Sequence, residues 1–218
     1  MSEILRLDNI SLNLEKKKFL KLNIKIFSGD FLLINGKNAV GKSLLLKLLY
    51  LKIFPVDGDI YLFGKKVENN QKKKILEYRK NIGVILQNNY LIPFFSVFQN
   101  IKLASDIQNK KRDFNSRISE ILEWLGLTQI KDSLISKLSN GQKQRVVIAR
   151  ALINNPKIII ADQPENNLDK DTIRKIFFLF ESLNKLGSTI IITSNLENKI
   201  NVDYKTFNLN YSYNEKLS

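Results

Sequence analysis

The chain has 218 residues, 35 of them Lys or Arg against 21 Asp or Glu, for a formal charge of +14, and it holds neither histidine nor cysteine. Lack of cysteine excludes a disulfide scaffold and thiolate metal sites, and lack of histidine excludes imidazole bases, His-containing triads and imidazole metal ligands. The length suits one domain with a substantial core. The amino terminus lacks the charged start and apolar core of a signal peptide, and no apolar run approaches the roughly 20 residues needed to cross a bilayer.

The positive charge invites a nucleic-acid reading, but only seven of the basic residues are Arg. The lysine runs, Lys16 to Lys18, Lys72 to Lys74 and Lys110 to Arg112, lie between periodic segments and are expected as solvated loops. No aromatic-studded RNA-binding motif or zinc-finger spacing accompanies them, so no specific nucleic-acid partner is expected.

In chain order, the first informative element is an apolar run, Phe31 to Ile34, that reads as a buried strand. Residues 36–43 follow as Gly36-Lys37-Asn38-Ala39-Val40-Gly41-Lys42-Ser43, a complete G-x-x-x-x-G-K-[ST] loop, and Leu44 to Leu49 then read as the start of a helix. A strand before and a helix after are the context in which such a loop works. Its backbone N–H groups and the positive end of the helix converge on one place, where they can wrap a polyphosphate. Lys42 would reach the β- and γ-phosphates, and the Ser43 hydroxyl would sit on Mg²⁺.

Ile82 to Leu86 read as a second strand, ending at Gln87. Phe114 to Leu127 have helical periodicity punctuated by Gly126. Leu138-Ser139-Asn140-Gly141-Gln142 precede an amphipathic helix over Lys143 to Ile153, with Ser139 as N-cap and Gln142 completing a capping box. Lys157 to Asp162 form an unbroken apolar strand ending in a carboxylate. Such strands lie mid-sheet in parallel sheets, and their carboxyl ends are where open α/β sheets bind ligands. Asp162 therefore reads as the Mg²⁺ carboxylate that accompanies the loop. A last strand, Ser188 to Thr193, leads to a polar loop at Ser194-Asn195.

These motifs, in this order, resemble the ABC-type ATPases over nearly the whole chain: the Walker A loop (36–43), a Q-loop glutamine (Gln87), a signature similar to LSGGQ (138–142), Walker B (158–162) and a D-loop-like Asn167-Leu168-Asp169. The run Ile82 to Pro93, and Val97 to Ile101 after it, are similar to the FtsE-type cell-division ATP-binding subunits. Lipoprotein-release and MacB-type export ATPases share much of that pattern.

The resemblance implies an α/β P-loop NTPase fold: a RecA-like core with an antiparallel β region (about 1–87 and 140–218) and a helical subdomain (about 88–138). It implies ATP and Mg²⁺ as cofactors. Two nucleotide-binding domains, expected as a homodimer, would close head to tail around two ATP molecules. Gly36, Lys37, Asn38, Ala39, Val40, Gly41, Lys42 and Ser43 would bind phosphates in cis, and Ser139, Gly141 and Gln142 would act across the dimer. Ser43, Gln87 and Asp162 would surround Mg²⁺ or its waters. The segment after Gln87 would face a transmembrane, FtsX-like permease subunit, placing the chain peripherally on the cytoplasmic face of the inner membrane.

The chain also departs from the family pattern. Gln163 stands where the family has its catalytic glutamate, and Ser194 where it has the switch histidine. Leu14 stands near the adenine-stacking aromatic, Ala39 and Asn140 replace glycines, and Glu165 stands where a small Thr is common. A neutral amide cannot accept a proton, and general-base catalysis is worth roughly 10² to 10⁴ in rate. Nucleotide binding is therefore expected to survive and hydrolysis to be slow or absent.

Overall fold

A computed structural model of the chain describes residues 2–15, 18–36, 40–87, 90–106, 115–194, 203–209 and 212–213, with the side chains at 13–15, 18–20 and 212–213 excepted. Two five-stranded sheets face one another. The first is antiparallel, with strands β1 (Glu3–Glu15), β2 (Lys18–Phe27), β4 (Asp57–Leu62), β5 (Lys65–Val67) and β10 (Ser212–Tyr213) in the order β10-β2-β1-β4-β5. The second is wholly parallel, with β3 (Phe31–Asn35), β6 (Ile82–Ile85), β7 (Ile158–Asp162), β8 (Thr189–Thr193) and β9 (Lys205–Asn208) in the order β6-β7-β8-β3-β9.

The parallel strands lie between two apolar layers, which explains their continuous hydrophobic runs. Along β7, Ile158 and Ile160 face the core shared with the antiparallel sheet and α1 (Lys42–Leu49), whereas Ile159 and Ala161 face a second core. The same alternation runs through β3, where Leu32 and Ile34 join the first core and Phe31 and Leu33 the second. The second core is closed by α3 (Val97–Asp106), α4 (Asn115–Trp124), α5 (Asn140–Leu152) and α6 (Lys170–Lys185).

The strands read from the sequence at 31–34, 82–86, 157–162 and 188–193 correspond to β3, β6, β7 and β8, and the helix expected from Lys143 is α5, begun three residues earlier. The lysine runs need correction. Lys72 to Lys74, expected in a loop, open α2 (Lys72–Arg79), and Lys18 opens β2. Three cations at a helix start oppose the macrodipole and conceal the boundary. The element forms because Ile75 is buried beneath it while all three lysines stay in solvent. Lys16, Lys17 and Lys110 to Arg112 lie outside the described residues.

Candidate functional site

The loop after β3 begins at Gly36, where a Cβ would stand 2.7 Å from Val40 Cγ1 and 2.9 Å from the Leu209 carbonyl oxygen, so only glycine fits without displacing the backbone beside it. Val40 is buried in the first core, which anchors the loop from inside. Gly41 caps α1 in a left-handed conformation (φ 103°) that glycine adopts without strain. The Lys42 ammonium donates to the Gly36 carbonyl across the loop at 2.5 Å. Lys37, Asn38 and Ala39 lie outside the described residues.

The first turn of α1 reaches over the end of β8 to the carboxyl end of β7. There the Ser43 hydroxyl donates to Asp162 Oδ2 (2.9 Å), while the Thr193 hydroxyl donates to Asp162 Oδ1 (2.6 Å). Asp162 is only 6% exposed. A hydroxyl and a buried carboxylate converging in this way are hard oxygen donors, and together they fit Mg²⁺. That ion takes one or two protein oxygens and fills its remaining positions with water and substrate phosphates.

Beyond Asp162 the chain turns sharply. Gln163 and Asn167 both have positive φ (45° and 63°), conformations that persist only where the surroundings enforce them. At Gln163 the enforcement is visible: its N–H donates to the Thr193 carbonyl (3.0 Å) and to the Thr193 hydroxyl oxygen (3.1 Å). Its side-chain Oε1 accepts from Gln87 Nε2 (2.5 Å) and from Asn166 Nδ2 (2.9 Å). Gln87 is thus brought to the Gln163 amide, and its hydrogen bond runs there instead of to Ser43 or Asp162. Ser194, one residue past Thr193, donates to Glu165 Oε1 (2.8 Å), and both residues are buried. Asn195 and the Leu14 side chain lie outside the described residues.

The signature segment has the reciprocal cap expected of it. Ser139 Oγ accepts from the Gln142 N–H (3.2 Å) and Gln142 Oε1 accepts from the Ser139 N–H (2.9 Å). Gly141 packs against the turn after β7, since a Cβ there would lie 2.9 Å from the Asn167 carbonyl oxygen. One turn on, buried Gln144 donates to the Pro164 carbonyl (3.3 Å), tying α5 to the same turn. Among the described residues, 139–142 share no hydrogen bond with the loop at 36–43. Asp169 caps α6 by accepting from the Asp171 and Thr172 N–H groups and the Thr172 hydroxyl, and these bonds, the hydroxyl's foremost, hold its carboxyl below its ordinary value. Sequence reasoning passed over Gln144 and Asn166 and named Glu165 and Ser194 without pairing them; these contacts are apparent only once β7, β8 and α5 are assembled.

A phosphate-binding loop, a strand-end carboxylate aligned with its serine, and a capped signature helix define a P-loop nucleotide-binding cassette. The ABC transporter family profile matches residues 19–166, about two thirds of the chain, and the chain belongs to that family. It is an ABC ATP-binding subunit, and the family binds ATP. It is 33% identical over 181 residues to the cell division ATP-binding protein FtsE of Streptococcus pneumoniae, covering 83% of this chain and 79% of that protein. Against the methionine import ATP-binding protein MetN of Clostridium acetobutylicum it is 37% identical over 194 residues, 88% of this chain and 61% of that protein. Among solved structures it is similar to the ATP-binding cassette MJ0796 in a dimeric post-hydrolysis state bound to ADP and Pi, with a TM-score of 0.85, 27% identity, and coverage of 96% of this chain and 98% of that one.

Proposed function

We propose that this chain is the ATP-binding subunit of a membrane-associated complex of the FtsE cell-division type, and that it closes as a homodimer on two ATP molecules. The observation that carries the reading is the convergence of Ser43 on Asp162 beside the phosphate loop. Ser43 and Asp162 would hold Mg²⁺, which neutralises charge on the phosphates. Gly36, Gly41 and Lys42, with Lys37, Asn38, Ala39 and Val40, would wrap the phosphates. Among the described residues Ser139, Gly141 and Gln142 share no hydrogen bond with this chain's own loop, which is in keeping with their acting on the nucleotide of a second copy. The MJ0796 dimer is in keeping with that arrangement.

A cleft of about 1210 Å³ lies between α2, β6, α3 and the end of α5, with Gly83, Val84 and Ala104 on its floor and Lys73 and Lys74 on its rim. It opens beside the segment after Gln87, where Tyr90 and Phe94 stand 70% and 71% exposed. Arg150, on the cleft wall, donates to the Tyr90 carbonyl (2.8 Å), and Asn100 binds both the N–H and the carbonyl of Ile92. This anchored apolar stretch is where a transmembrane, FtsX-like partner would dock and sense Gln87. Among the described residues no helix is long and apolar enough to cross a membrane, so attachment to the cytoplasmic face would come through that partner.

With an amide at 163, ATP binding and closure become the main events and turnover is slow. The test is ATP affinity measured beside single-turnover phosphate release, and co-purification with the membrane protein encoded beside this gene. Tight binding, slow release and recovery of a division-type permease support the reading. Recovery of a lipoprotein-export or amino-acid import permease would overturn the division assignment, and failure to bind ATP would overturn the whole.

A further inference from the structure

Glu165 is a carboxylate only 8% exposed, at the catalytic edge of the sheet, and neither the binding of phosphate nor that of metal uses it. Burying a carboxylate is costly unless it is compensated, and an uncharged residue would fill the position without that cost. Its Oε1 accepts from the hydroxyl of Ser194, itself 7% exposed. The pair lies between the ends of the two strands that form the site. Ser194 directly follows Thr193, which binds Asp162, and Glu165 is two residues beyond Gln163. A chain with no carboxylate at 163 thus has one at 165, linked to a hydroxyl just past the end of the neighbouring strand.

We propose that Glu165 and Ser194 form a proton relay that serves as the base for this chain's ATP hydrolysis. The inference rests on the reading that the chain binds ATP as an ABC cassette. Gln163 orients the attacking water through its amide, as a glutamine does in small GTPases. Water attacks the γ-phosphorus and passes a proton to Ser194 Oγ as the serine's own proton moves to Glu165 Oε1. The β–γ bridging oxygen leaves with the electron pair of the broken P–O bond, giving ADP and inorganic phosphate. Glu165 then returns its proton to phosphate or solvent through the same hydroxyl. Passage through an intervening serine makes the relay slower than a carboxylate in direct reach of the water.

The experiment is single-turnover phosphate release by the parent, Glu165→Gln, Ser194→Ala and Gln163→Glu, and by the double variant carrying Gln163→Glu with Glu165→Gln. ATP affinity is measured for each. Glu165→Gln and Ser194→Ala are expected to lower parental turnover by 10²-fold or more with ATP affinity within a few-fold. In the Gln163→Glu background, where a direct base is present, Glu165→Gln should change the rate less than threefold. A merely structural Glu165 would instead slow both backgrounds equally, and that result overturns the proposal. So does a parent that binds ATP but releases no phosphate, or a Glu165→Gln variant as fast as the parent. If Glu165→Gln does not fold, Ser194→Ala decides alone. A chain that binds no ATP refutes the cassette reading itself.

Discussion

Gln163→Glu should accelerate hydrolysis, and the structure sets the terms of the gain. Among the described residues, both hydrogen bonds to the Gln163 side chain run to Oε1, the atom a glutamate keeps. A carboxylate accepts from Gln87 and Asn166 at least as strongly as an amide does, since charge-assisted bonds are about twice as strong as neutral ones. The positive φ of 45° is shared by both residues, so its strain cancels in the comparison. The N–H bonds to Thr193 are unaffected. What changes is the ability to accept a proton, worth about 10²- to 10⁴-fold, or about 3 to 5.5 kcal/mol of barrier at 1.36 kcal/mol per tenfold. Because the Glu165–Ser194 relay already supplies part of this in the parent, the gain should fall toward the lower end, near 10²-fold. The assay is phosphate release with protein in excess over Mg·ATP, beside equilibrium ATP binding. Unchanged release with unchanged affinity would refute the argument, because the chemical step would then not be limited by a missing base.

The same geometry gives further outcomes. Asp162→Asn loses the charge that aligns the Ser43 and Thr193 hydroxyls, so titrations should show Mg²⁺-dependent ATP affinity falling by at least about tenfold, in line with about 1.5–3 kcal/mol for a charged hydrogen bond. Gly141→Ala places a Cβ 2.9 Å from the Asn167 carbonyl oxygen, and equilibrium unfolding should report a loss of about 1–3 kcal/mol, typical of overpacking. Asp169 has its carboxyl held low by the Thr172 hydroxyl and the N–H groups of α6. A depressed folded value means its stabilisation is complete above the unfolded carboxylate range and is lost as pH falls through the folded value. Unfolding free energies measured from neutral to acid pH should therefore fall less steeply for Asp169→Asn, which keeps a capping oxygen but does not titrate.

What the sequence made legible divides along a physical line. Local signals were readable wherever one segment carried the whole pattern. The loop at 36–43 and the cap at Ser139–Gln142 each close within a few residues, and β3, β7 and β8 show as unbroken apolar runs because both faces are covered. The helix α3 was not anticipated, although its start carries the same device. Ser96 Oγ accepts from the Gln99 N–H (3.1 Å), and Gln99 Oε1 accepts from the Ser96 N–H (2.8 Å). The signal was present as Ser-x-x-Gln at 96–99, but the helix behind it buries Asn100 and Ser105 on its inner face, which interrupts the apolar period.

The site divides in the same manner. Gln163 and Ser194 were visible one at a time as departures from a pattern, and each read alone as a loss. Only parallel pairing of β7 with β8, with Asp162 opposite Thr193, brings residues 29 apart in sequence into contact and joins Glu165 to Ser194. Two apparent losses and one odd carboxylate thereby become a connected group at the catalytic edge. The glutamate at 165 fits because a serine at 194 leaves it room and donates to it; a histidine there would compete for the same volume. Placing histidine there by Ser194→His should therefore displace the Glu165 carboxylate from its buried place, so that thermal stability falls. Pairing it with Glu165→Thr should recover what was lost. Equal stability of the single and double variants would show that the two positions are independent.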